Sequence, residues 1–206
     1  MKKERLKDKM KKFLCLICTV MIVCCACGKA GSGEIDDSLK DSIKSLEQRS
    51  VIISNEVIML DCDVSTLYDA IGESLDESED VMIESGGKET YELLNDKEEQ
   101  QCMFTVYNDS ENEKSIRDCR VISVAQIKGM PKLITFPGEL QIGQEMNKDY
   151  IIELFGEPSL IQEYEKYVLF NYNKDENNIR FMLWIEDGVI TNISLSAYEG
   201  IIKKQE

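Results

Sequence analysis

Histidine is absent from this 206-residue chain. Its absence removes Ser-His-Asp and Cys-His nucleophilic catalysis, imidazole metal ligation and the usual proton shuttle at neutral pH. Positive charge is scarce beyond the first dozen residues. Of the 24 Lys/Arg and 39 Asp/Glu, seven and two fall in residues 1–26, leaving 17 against 37 and a net charge near −20. Such a surface repels nucleic-acid phosphates and anionic headgroups, so nucleic acid is excluded as a partner and a charge-steered partner is basic. Long apolar runs are missing too. The stretch Phe13 to Ala26 would rise about 21 Å as a helix, short of the roughly 30 Å hydrocarbon core.

What is present begins with a basic head, "MKKERLKDKMKK", followed by that short apolar stretch and a small residue. This order describes a secretory signal peptide over residues 1–26. The break at Ala26–Cys27 resembles a bacterial lipobox, in which a small residue precedes an invariant cysteine. Gly28, Lys29, Gly31, Ser32 and Gly33 follow as a flexible tether. The resemblance implies diacylglyceryl transfer to Cys27, cleavage before it and a palmitate-type anchor. A protein so made is held on the cell membrane at its extracytoplasmic face, because two or more acyl chains anchor stably where one is marginal. Cys24 stands where such motifs carry Leu. Cys25 is the alternative acceptor, and a plain cleaved signal is the alternative process.

Five of the eight cysteines belong to this segment or its end, leaving Cys62, Cys102 and Cys119. Outside the cytoplasm a disulfide is allowed, and an odd count leaves one thiol over. Cys102 and Cys119 flank the polar stretch "NDSENEKSIRD" and are the candidate pair. Three buried reduced thiols are the alternative.

After a polar, partly helical tether to residue 50, the chain reads as two tandem α+β repeats, 51–130 and 131–206. Each consists of a helix and an antiparallel sheet. "TLYDAIGESL" aligns with "YIIELFGEPSL", placing Gly72 on Gly156 and Glu73 on Glu157. Both glycines are expected to close their helices in the left-handed conformation. Asn147 caps the second helix, and Asp63 or Ser65 the first. "TYELLN", "CMFTVYND" and "VISV" align in turn with "KYVLFN", "FMLWIEDG" and "VITNI".

Alternation assigns faces to these strands. Ile179, Phe181, Leu183 and Ile185 point inward, as do Cys102, Phe104 and Val106. The other set, Met103, Thr105 and Tyr107 with Arg180, Met182, Trp184 and Glu186, is unusually apolar for a solvated sheet face. Met103, Tyr107, Arg180, Met182 and Trp184 are therefore candidate partner-binding residues, since Met, Trp, Tyr and Arg are enriched at interfaces. Coverage by the chain's own loops or by residues 28–50 is the alternative.

Ile142, Gly143, Gly156, Pro158, Tyr167, Gly188 and Val189 fill the places of a repeat that resembles the β-lactamase-inhibitor-like fold of the SmpA/OmlA (BamE) envelope lipoproteins. The likeness covers residues 140–197, and Ser74 replaces the proline in the first half. It implies a binding or scaffolding module without catalytic apparatus, and no particular partner.

Asp61, Asp63 and Ser65 occupy the first three ligand places of a calcium loop. Thr66 and Gly72 stand where Gly and Glu are required, so no metal is expected. Glu73 and Glu157 recur at equivalent positions, but in so acidic a chain such a pair carries little weight. The expectation is a non-enzymatic, cofactor-free protein binder meeting an envelope or secreted protein. A small-molecule or cation-binding sensor, which needs an enclosed pocket, and a carboxylate-based hydrolase are the rivals.

Overall fold

A computed structural model describes residues 46–73, 81–174 and 178–197. All of them belong to the unit Ile35–Glu206. The signal peptide, Cys27 and most of the tether lie outside the described residues.

Thirteen strands and two α-helices are found among the described residues. Strands β1 (Ser50–Ile53) and β2 (Glu56–Met59) form a hairpin, and β3 (Cys62–Asp63) leads into helix α1 (Val64–Ile71). Short β4 (Met82–Ile83) precedes the hairpin of β5 (Lys88–Leu94) and β6 (Gln100–Tyr107). Then come β7 (Lys114–Ser115), β8 (Arg120–Ile127) and β9 (Ile134–Thr135). Helix α2 (Lys148–Phe155) opens the final meander of β10 (Leu160–Glu163), β11 (Tyr167–Lys174), β12 (Ile179–Glu186) and β13 (Val189–Ala197).

The expected α+β architecture of two separate helix-plus-sheet repeats is overturned. Strand is the main element of the described residues, and their principal sheet is one continuous antiparallel sheet in the order β10-β11-β12-β13-β8-β6-β5, with β3 also on β8. The join decides this. The last strands of the two meanders pair with each other from Asn192↔Ile127 to Ser196↔Ser123, so neither half closes its own sheet. Helices supply only eight residues each. A second, three-stranded sheet, β2-β1-β9, provides the packing that full helical layers would otherwise supply.

One core unites these parts. Val51 and Ile53 from β1, Val64 and Leu67 from α1, and Ile151 from α2 pack with the inward residues of the large sheet. Ile179, Phe181, Leu183 and Ile185 are all buried, as are Cys102, Phe104 and Val106. Helix α1 buries Val64, Leu67 and Tyr68, one stripe at the 3.6-residue period. Each fully buried large aliphatic or aromatic side chain contributes about 1.5–3 kcal/mol.

The helix ends depart from expectation in two ways. Asn147 caps α2 as expected, its Oδ1 accepting the Tyr150 N–H at 2.8 Å. Asp63 holds the equivalent place before α1 but makes no side-chain cap bond. Its carboxylate accepts from Arg120 at 2.7 Å instead, a charge-assisted bond stronger than a neutral cap. Gly72 is left-handed (φ 84°, ψ 23°), whereas Gly156 combines φ 76° with ψ −166°, an extended exit that sends the chain toward β10. Gly138 (φ 73°) is demanded by packing as well, since a Cβ there would lie 2.6 Å from Phe155 Cζ. Phe155 in turn meets Tyr172 and Phe181 at centroid distances of 5.6 and 5.3 Å.

Candidate protein-binding face

The side of the large sheet turned away from the core is built by the alternate residues of the same strands. Register places Leu160, Asn171, Met182, Ser194, Ala125, Met103 and Glu92 in one row across it. Met103 and Met182 thus share a row three strand spacings apart, about 14 Å. Arg180 sits between Asn173 and Ser196 in the adjoining row, and Trp184 between Leu169 and Asn192 in the opposite one. Small residues line the seam of β8 and β13, where Ser123 and Ser196 hydroxyls bond at 2.8 Å.

The expected binding residues fare differently. Arg180 is exposed, while Met103, Met182 and Trp184 are half-buried. Tyr107 is only 5% exposed, with the Lys88 ammonium 5.9 Å from its ring centroid, which corrects its assignment to an open face. Lys88 and Arg120 are its cross-strand neighbours, and long side chains on both sides shield a ring at a strand end.

A feature the sequence reading missed dominates the other end. Tyr164 and Tyr167 flank the two-residue turn Glu165–Lys166, closed by the Tyr164 N–H donating to Tyr167 O at 2.8 Å. Their rings stack at 4.3 Å with planes 25° apart. Tyr167 then stacks on Trp184 at 5.2 Å and 17°. A register shift between Trp184 and Ile185 marks a bulge beside the indole, a device that re-aims a side chain. Tyr164 is 49% and Leu160 44% exposed. The "YEKY" spacing around a tight turn was the available signal, because residues flanking a two-residue hairpin loop share a face.

Polar atoms on this face are not all satisfied. Asn171 Oδ1 is buried and has no partner, as has Gln126 Oε1 among the inward polar groups. Gln126 Nε2 does bond, to Gln101 O at 3.0 Å and Pro131 O at 2.7 Å.

Elsewhere the chemistry is structural. Cys62, Cys102 and Cys119 are free thiols, so the expected Cys102–Cys119 disulfide is not formed. Cys102 lies opposite Leu93, whereas Cys119 adjoins Arg120, the partner of Tyr107 five residues further along β6. That offset is about 16 Å of strand, far beyond disulfide reach. Cys119 Sγ donates instead to Ser115 O at 3.4 Å. Burial pushes the Cys62 thiol up to about 11 and the Cys102 thiol to about 12, the reverse of an activated nucleophile.

Asp61 and Asp63, the calcium-like pair, share the Arg120 guanidinium at 3.3 and 2.7 Å, which also donates to Asp61 O. A cation already stands where a metal would bind. Burial raises the Glu73 carboxyl above its ordinary value, with Asp96 adding to the shift. Among the described residues no group of three or more Cys, Asp or Glu is placed to hold a metal. A depression of about 380 Å³ lined by Glu145, Met146, Asn147, Asp187, Gly188 and Val189 is open to solvent rather than enclosed.

Compared with known proteins, the chain matches no family model, no curated protein and no solved structure.

Proposed function

We propose that the protein is a lipid-anchored, extracytoplasmic binding module that meets another envelope or secreted protein through the outer face of its large sheet. The observation that carries this reading is the stack Tyr164–Tyr167–Trp184 beside Met182 and exposed Leu160, all on the side away from the core. Rigid aromatic surface of this kind supplies large contact area at low entropic cost, and Trp, Tyr and Arg dominate binding hot spots. Anchoring rests on the basic head, the short apolar run and the Ala26–Cys27 break. The module works by contact, without a cofactor and without catalysis of its own.

Crosslinked recovery from the native envelope, comparing wild type with Trp184→Ala, tests the face. Loss of one specific partner in the variant supports it, and equal recovery of every partner refutes it. Intact-mass analysis and palmitate labelling test the anchor. A labelled chain beginning at Cys27 is expected, and an unlabelled one retaining Met1 would remove the membrane placement.

A further inference from the structure

The stack on the outer face has two ends, of which one is open. Tyr167 has a ring on each side, whereas Trp184 and Tyr164 end the series; Trp184 is half-buried and Tyr164 is 49% exposed. The only cation–π contact among the described residues is that of Lys88 on Tyr107, so none of those cations lies over Tyr164, not even Lys166 two residues away. Glu163 is already tied to Lys148. Glu165, next to Tyr164 in the turn, is exposed and makes no ion pair among the described residues. Residues 27–206 carry 17 Lys/Arg against 37 Asp/Glu. A ring open on one side therefore adjoins, in sequence, an exposed carboxylate on a strongly acidic chain.

We infer that the partner presents an arginine whose guanidinium stacks on the free side of Tyr164 and bonds the Glu165 carboxylate. This deepens the proposed function and rests on its reading of the outer face as the interface. Arginine fits better than lysine for two reasons. Its flat guanidinium continues a series of near-parallel rings, and its fork of donors matches a carboxylate, whereas an ammonium is a compact, strongly hydrated charge. Glu165 lies in a turn closed by the Tyr164–Tyr167 backbone bond, which holds its main chain next to Tyr164 before binding.

The test uses the full chain in detergent and three dye-labelled peptides, identical except for one central arginine, lysine or citrulline. Citrulline keeps the planar shape and loses the charge. Anisotropy titration is expected to show the arginine peptide binding about fivefold tighter than lysine and about tenfold tighter than citrulline. Tyr164→Ala should erase the difference between arginine and lysine, Tyr164→Phe should keep it, and Glu165→Gln should weaken arginine binding severalfold. Circular dichroism matching wild type shows that the exposed substitutions leave the fold intact.

Citrulline binding as well as arginine would overturn the inference, and so would an arginine preference surviving in Tyr164→Ala. Equal binding of arginine and lysine by the wild type would also overturn it, leaving only general attraction to an acidic chain. The two proposals separate in the envelope experiment. A partner lost in Trp184→Ala but retained in Tyr164→Ala refutes the arginine contact alone, while a partner retained in both refutes the interface itself.

Discussion

Strand β12 carries both faces of the large sheet on consecutive residues, and they are held to different standards. Ile179, Phe181, Leu183 and Ile185 are between 0% and 6% exposed and belong to the same core cluster as residues of both helices and the small sheet. Arg180, Met182, Trp184 and Glu186 lie outside that core and remain exposed or half-buried, with Trp184 stacked on Tyr167 and Glu186 paired with Lys128 at 3.7 Å. The inner residues are constrained on every side, so shape decides them. The outer residues are held by register and a few surface contacts, so packing places fewer demands on their chemistry. The lesson is that a single strand separates core residues from surface residues by parity of position.

That separation is broken most forcefully from inside. Phe181→Ala is expected to cost about 3–5 kcal/mol in urea denaturation, because Phe155 and Tyr172 lose their common ring partner and a cavity remains. Alkaline titration probes the same face by another route. Burial raises the Cys102 thiol from 9.0 and the Tyr172 phenol from 10.0, each to about 12. The unfolded chain releases these protons from pH 9–10 upward while the folded chain retains them. Stability is thus fully present below about pH 9 and falls as pH rises toward 12. A midpoint unchanged from pH 8 to 11 would contradict the burial of both groups.

Trp184→Ala sharpens the contrast from outside. It should remove about 2 kcal/mol of partner binding while costing less stability than Phe181→Ala, measured on one preparation by titration and by melting. Smaller still is Asn147→Ala, worth about 1 kcal/mol through loss of the α2 cap. Its neighbour case, Asp63→Asn, tests whether Arg120 rather than α1 is what that carboxylate serves. Least of all is the effect of reductant. With Cys102 and Cys119 unpaired, dithiothreitol should leave the melting temperature where it was.

Reading the residues in order recovered what is local. The period-two pattern of "IRFMLWIE" identified both faces of β12, and the Asn147 cap followed from side-chain chemistry within three residues. The Cys102–Cys119 pairing failed because proximity across a hairpin depends on register, which the bond pattern of β5, β6 and β8 sets. Tyr107 was misplaced for a related reason, since its covering neighbours come from strands on either side. Tyr164 escaped notice because its importance lies in a stack completed by Trp184, twenty residues away in sequence.

Sequence alone determined the absence of imidazole chemistry, the strongly acidic surface, the inward stripes of β6 and β12 and the cap of α2. Each depends on residue type or on spacings of a few positions. Tertiary structure alone decided that β8 and β13 join two meanders into one sheet, that Arg120 takes the charges of Asp61 and Asp63, and that three rings align on the outer face. Those outcomes turn on which strand edge satisfies which backbone bonds, a competition among distant segments that no local pattern encodes.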